Sequence, residues 1–152
     1  MCDPTPQDYF SNHRTDDLGI GPQDRLLRHC TTPVQVVPCP LNGRKISDQA
    51  FKPKKSDVGV SVDLECLLAK DGHTWEDRFG VMPNAVGMIA VTVASARTHS
   101  AGVAYTPKPA QAELDGYLQK PNPYHGEIIL PMTNSQRRDL FRSAVQLRLL
   151  AS

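Results

Sequence analysis

The sequence predicts an α+β domain: a mixed, mainly antiparallel sheet with short helices and a long C-terminal helix packed on it. Three observations carry that expectation. Short β-branched runs are interleaved with short helical patterns, the final stretch joins a capping box to an apolar stripe at helical spacing, and no repeat or heptad array is visible. A chain of 152 residues can bury about two-thirds of its unfolded surface, so one hydrophobic core suffices without staples. Residues 1–21 are expected as a flexible tail and 22–152 as a single α+β domain.

Taken in order, residues 1–21 mix Pro, Asp, Asn, Ser and Gly with few aliphatics, too little apolar surface to offset the entropy of ordering. Tyr9-Phe10 and the stretch 18–20 are exceptions that suit an anchor on the domain or on a partner chain. Residues 22–30 fit a short helix start through Pro22 and Asp24, or equally an entering strand. The run 34–37 is β-branched and stopped by Pro38 and Pro40, an edge or curtailed strand, and Asn42-Gly43 supplies a turn. One helical turn at 47–51 and a basic loop at 52–57 follow. Val58, Val60 and Val62 then alternate with Gly59 and Ser61, a strand whose second face is thin enough for a backbone, a helix or a ligand to come close. Asp63 suits the cap of a helix over 64–70 that Asp71-Gly72 stops, and 75–79 suits a further turn or short helix. The stretch 86–96 is nearly uncharged and β-rich, a central strand, and 101–106 is expected to pair with it as a hairpin. A loop over 107–123, with one helical turn at 112–117, leads to a last strand at 125–130. Thr133 and Gln136 have capping-box spacing, and Leu140, Ala144 and Leu147 with Phe141, Val145 and Leu149 form the stripe of the final helix.

A formal net charge of +1, from 17 basic and 16 acidic side chains, excludes the strong global field that drives non-specific binding to nucleic acids or membranes. The chain lacks a basic, apolar leader and any run near the roughly 20 apolar residues of a membrane span, so a cytoplasmic protein without membrane contact is expected. Cys2, Cys30, Cys39 and Cys66 show no framework spacing and are expected as thiols, with Cys2 in the tail and Cys66 in the core. No C-x-x-C or H-x-x-x-H pair supplies metal ligands from one turn, so no metal is expected. The hydrolase elbow, the phosphate loop and the dinucleotide fingerprint are all missing. Basic side chains cluster at Arg44, Lys45, Lys52, Lys54 and Lys55, and again at Arg137, Arg138, Arg142 and Arg148. No aromatics interleave them as stacking platforms, which favours a solvated face over a nucleic-acid surface.

Tyr124-His125-Gly126-Glu127 stands out because a polar pair opens an apolar strand, and strand geometry points His125 and Glu127 to one face. The order Arg28, Ser61, Glu127 is similar to the R-S-E order of ADP-ribosyltransferases. That resemblance implies that Arg28 holds the phosphates of NAD, Ser61 steadies the ribose strand and Glu127 stabilises the ribosyl cation as nicotinamide leaves. Fixed negative charge aimed at developing positive charge is a strong catalytic lever. The sequence departs from the family pattern in reading Val60-Ser61-Val62 for S-T-S and His125-Gly126-Glu127 for the paired acidic or Q-x-E motif.

By elimination the sequence reads as a small protein-interaction or regulatory module, a subunit of a larger complex, without a cofactor. Its contact elements are Tyr9 and Phe10, the segment from Trp75, and Arg137, Arg138 and Arg142, since aromatics and Arg anchor interfaces. The alternative is the NAD-using transferase with Arg28, Ser61, His125 and Glu127, and the second alternative a nucleic-acid-binding accessory factor. An enzyme requires Arg28, Ser61 and Glu127 to converge, an interaction module requires an exposed apolar patch, and a nucleic-acid binder requires steep salt dependence.

Overall fold

The computed structural model of the chain describes residues 2–53, 57–112 and 118–151. In chain order the elements are β1 (Arg25–Cys30), β2 (Val36–Cys39), β3 (Gly43–Ile46), β4 (Gly59–Leu64), α1 (Glu65–Lys70), α2 (Trp75–Gly80), β5 (Gly87–Thr92), α3 (Val93–His99), β6 (Val103–Tyr105), β7 (Gln111–Ala112), β8 (Leu118–Gln119), β9 (His125–Ile129), α4 (Asn134–Ser143) and β10 (Val145–Leu149). The main sheet is six-stranded in the order β10-β5-β1-β4-β9-β6, with every pairing antiparallel, and β2–β3 and β7–β8 form small separate ribbons. The α+β expectation stands. Among the described residues no helix is long and apolar enough to cross a membrane.

Period-2 alternation gives the sheet two unlike faces. On one, Leu26, Val60, Val62, Leu64, Ile89, Val91, Val103 and Ile128 join a single core with Val36 and Ile46 of the β2–β3 ribbon, Phe51, Val93 and Ala96 of α3, and Leu140 of α4. On the other, Leu27, Met88 and Ala90 pack with Leu68 of α1 and Phe79 of α2. That second core covers the β5–β1 half. The β4–β9–β6 half of the same face instead carries Ser61, Asp63, His125 and Glu127, as the alternation and the register require.

Several expectations are corrected. The stretch 22–30 resolves to strand β1, because its two leucines are buried in the cores on opposite faces of the sheet. Asp63 caps no helix: β4 runs through it to Leu64, and α1 starts at Glu65 with no side-chain cap. The central strand stops at Thr92, whose hydroxyl accepts from the Ser95 N–H and starts α3. That helix separates β6 from β5, so 103–105 pair with β9 instead. The final helix is real at its capping box but ends at Ser143, and Val145–Leu149 is the edge strand beside β5. Its alternation of Val145, Leu147 and Leu149 with Gln146 and Arg148 fits a strand as well as the helical stripe does. The expected helical turn at 112–117 falls largely on residues outside those described, as do Lys54 and Lys55.

The leading residues, expected as a flexible tail, lie against the domain. Ile20 is fully buried in the core, Gln7 N–H donates to the Tyr105 carbonyl and Asp17 N–H to the Val103 carbonyl, each at 2.8 Å. Cys2 and Cys66, expected as thiols, form a disulfide across a sequence separation of 64, while Cys30 and Cys39 are free. Closing a loop of that length removes unfolded-chain entropy, so Cys66→Ser is expected to lower unfolding free energy by about 2–4 kcal/mol. Urea denaturation with and without a dithiol reductant checks this: the wild type should lose the same amount on reduction, and the variant nothing.

Candidate functional site

The site lies where the main sheet comes apart. The β1–β4 register consists of Leu26 opposite Leu64 and Leu27 opposite Asp63; β1 continues beside β5 through Cys30, and β4 continues beside β9 through Gly59. Past the shared pair the strands part. Arg28, which springs from the face of Leu26 and Cys30, fills the breach: its Nη1 donates to the Ser61 carbonyl at 2.7 Å and its Nε to the Ala50 carbonyl at 3.0 Å. The guanidinium thus replaces ladder hydrogen bonds that the diverging strands no longer make.

Ser61 is exposed and faces Glu127 directly in the β4–β9 register. Glu127 is nearly buried, and what makes room for it is the absence of a side chain at Gly59. A Cβ there would lie 2.9 Å from the Glu127 Cβ and 3.1 Å from its Oε1. The thin face of β4 thus serves a carboxylate. Glu127 Oε2 accepts from Arg14 Nε at 2.6 Å, with side chains 7% and 3% exposed. A charge pair so far out of water is stable only when each ion has close partners. The Arg14 guanidinium also donates to the carbonyls of Asp8, Tyr9, Ser11 and His13. Tyr9 stands edge-on to His125 with ring centroids 5.4 Å apart, and burial, then the Glu127 charge, raises its phenol pKa.

One register step away, Asp63 is buried and fully engaged. Its Oδ2 accepts from Arg78 Nε of α2 at 2.7 Å, its Oδ1 from Asn122 Nδ2 at 2.8 Å, and His29 Nδ1 stands 3.6 Å off. His29 Nε2 is buried with no partner among the described residues. Burial drives the His29 pKa down from 6.5 to about 4 against the pull of Asp63, with Arg78 and Arg28 adding to the fall. His125 shifts the same way, again by burial, opposed by the Thr106 carbonyl and Glu127. Its Nδ1 lies 2.8 Å from that carbonyl, which can only accept, so Nδ1 carries the proton and Nε2 is the basic nitrogen.

Of the four residues assigned to an enzyme site, Ser61, His125 and Glu127 share one face of β4 and β9, whereas Arg28 springs from the other face of β1 and meets them only at the Ser61 carbonyl. The six assigned to binding are spread out. Tyr9 leans on His125, whereas Phe10 is 63% exposed. Trp75 is half-buried with the Arg148 guanidinium 5.2 Å above its ring. Arg137 donates to the Met132 carbonyl and to Asn134, Arg138 lies 3.9 Å from Asp48, and Arg142 pairs with Asp139 at 2.7 Å. Sequence reasoning missed the charged partners Arg14, Asp63 and Arg78 and the neutral His29 that complete the site. Among the described residues, Cys2, Asp24 and Cys66 bring ligand atoms within 4.8 Å of one another, but the sulfurs are bonded together and offer no thiolate. Burial pushes the Cys30 thiol up to about 11, too high for a nucleophile at neutral pH. Comparison with protein-family models, curated proteins and solved structures found no match to this chain.

Two measurements check this geometry. Gly59→Ala is expected to destabilise by about 1–3 kcal/mol through overpacking, while Ser61→Ala, on the open face, changes stability by less than about 0.5 kcal/mol; urea titrations should separate them. The pH dependence follows from His29. The unfolded chain protonates this imidazole near 6.5 and the folded one near 4, so the folded state binds fewer protons between those values. The stability of the neutral form is complete above about 6.5 and is lost toward pH 4 at up to about 1.4 kcal/mol per pH unit. His29→Gln should flatten that acid limb in denaturation curves taken across the window.

Proposed function

We propose that the protein is an ADP-ribosyltransferase-like enzyme that uses NAD, and that Glu127 is its central catalytic residue. The observation that supports this reading is that Ser61 lies opposite Glu127 in the β4–β9 register while Arg28 donates to the Ser61 carbonyl. Glu127 offers fixed negative charge to the positive charge that develops on the ribose as nicotinamide departs with the bonding electrons. Arg28 supplies guanidinium N–H groups for the phosphates. Ser61, small and exposed between them, lets the sugar approach the β4 backbone. His125 presents Nε2 on the face of Glu127, suited to taking the proton of the acceptor group that attacks the ribose.

The residues around the opening support the same reading. Arg14 and Arg78 are paired with Glu127 and Asp63, which leaves Arg28 beside Ser61 as the guanidinium without a carboxylate hydrogen bond among the described residues. Of the α4 arginines, Arg137 and Arg142 are engaged within their own turns and Arg138 lies 3.9 Å from Asp48, which favours the enzyme over the nucleic-acid binder.

The test is NAD binding by thermal shift and NAD consumption by the oxidised and the reduced protein. Glu127→Gln is expected to lower turnover by about 100-fold or more. Because it strands a buried Arg14, the double variant Arg14→Gln/Glu127→Gln serves as the folded control. No NAD response from either redox form, with co-elution of a defined second protein from lysate, would sink the transferase reading and restore the interaction module.

A further inference from the structure

We propose that residues 2–20 form an autoinhibitory strap over Glu127, latched by the Cys2–Cys66 disulfide and released by its reduction. The inhibitory meaning rests on the role given to Glu127 above; the closure and release rest on the strap's own geometry.

The strap is a loop whose ends meet. Cys2 bridges to Ile20 and Asp3 N–H donates to the Gly19 carbonyl at 2.8 Å, so the chain leaves and returns at one place beside α1. Ile20 fixes one end in the core, and the disulfide fixes the other to Cys66. Between them the attachment is polar. Gln7 and Asp17 donate to the outer edge of β6. Asp16 Oδ1 accepts from the Val103 N–H at 2.8 Å, an approach that requires Gly102, where a Cβ would lie 2.4 Å from the Asp16 Cβ. Arg97 clamps the Asp16 carboxylate and the carbonyls of Asp17 and Ile20. Phe10 and Leu18, 63% and 78% exposed, contribute little burial. Apart from the buried Arg14–Glu127 pair, the segment is held by hydrogen bonds rather than apolar packing, and a segment so held opens at lower cost than the core.

What the loop carries is a cation set on the carboxylate. The turn 8–13 is wound around the Arg14 guanidinium by its carbonyls, which leaves Nε to occupy Glu127. A reaction that needs Glu127 to face positive charge on a substrate meets that charge already supplied by the chain itself. With the disulfide intact both ends of the loop are fixed and Arg14 returns at once after any local opening. With it reduced, the covalent tie at Cys2 is gone, Ile20 and the polar contacts to β6, Arg97 and Glu127 alone retain the loop, and the closing equilibrium weakens. The reaction is thiol–disulfide exchange: one thiolate of a dithiol reductant attacks one sulfur and the S–S electron pair leaves on the other, the reductant's second thiolate then attacks the mixed disulfide and displaces the first cysteine, and Cys2 and Cys66 take up the reductant's two protons as it closes to its own disulfide.

Carboxyl footprinting reads the strap directly, by carbodiimide coupling of glycine ethyl ester to Glu127 followed by mass spectrometry. Reduction, or Cys66→Ser without reductant, is expected to raise Glu127 labelling about tenfold, the change that ~1.4 kcal/mol in the opening equilibrium produces. Arg14→Gln should do so even in the oxidised protein. Hydrogen exchange of the β5 amides, measured in parallel, is expected to stay slow in all forms. Equal labelling in oxidised and reduced protein overturns the proposal, as does loss of β5 protection together with the strap, which would mean global unfolding. NAD supplies a separate arm. Equal NAD affinity with Glu127 covered and uncovered overturns the inhibitory role, whereas uncovering without any NAD binding supports the strap and defeats the NAD reading.

Discussion

The pairing of Leu26 with Leu64 and Leu27 with Asp63 is the only register that joins β1 to β4 among the described residues, and it joins two half-sheets that otherwise keep their own partners. Strands β10, β5 and β1 pair along their lengths, as do β4, β9 and β6. A longer joint would seal the sheet and bury its backbone groups in a continuous ladder. The short one leaves an opening, and unmade ladder bonds must find other partners. Arg28 provides some of them through Ser61 and Ala50. The Leu27–Asp63 pair also sets which side chains share the second face, because alternation then fixes Ser61, His125 and Glu127 relative to it.

That face divides its two halves by energetics as much as by sequence. Over β5 and β1 the helices α1 and α2 bury Leu27, Met88 and Ala90 in an ordinary apolar core. Over β4 and β9 the buried groups are two carboxylates and two imidazoles, which a fold selected only for stability would replace with apolar residues. Each carboxylate is compensated by a guanidinium from another part of the chain: Asp63 by Arg78 of α2, Glu127 by Arg14 of the leading loop. The two compensations differ in permanence. Arg78 sits on a helix whose own residues belong to the core, whereas Arg14 sits on a segment fastened by polar contacts and one covalent bond.

How much of this the sequence revealed depends on the range over which each signal acts. The capping box at Thr133 and Gln136, the Asn42-Gly43 turn and the 75–79 helix are local, and each appears where its residues indicate. The thin face of Gly59 and Ser61 and the shared face of His125 and Glu127 were also legible, because alternation is a property of the backbone. The end of α4 was not, since Leu140, Ala144, Val145 and Leu149 satisfy a helical stripe and a strand alternation alike. The partners of the site lay further out of reach. Arg14 meets Glu127 across 113 positions and Cys2 meets Cys66 across 64. Nothing local in a Pro- and Asp-rich leader distinguishes an arginine that folds a loop from one that dangles in water.

The leading loop has a second role that follows from where it lies. Strand β6 ends the main sheet, and its outward Val103 N–H and the C=O groups of Val103 and Tyr105 are taken up by Asp16, Asp17 and Gln7. While the loop is seated, these three groups on that margin are covered. Once it lifts, the same groups become a template for any extended chain at hand, including β6 of another copy. The molecule in its opened state is therefore the stickier one, and crowding would draw it toward self-association just when its carboxylate comes free.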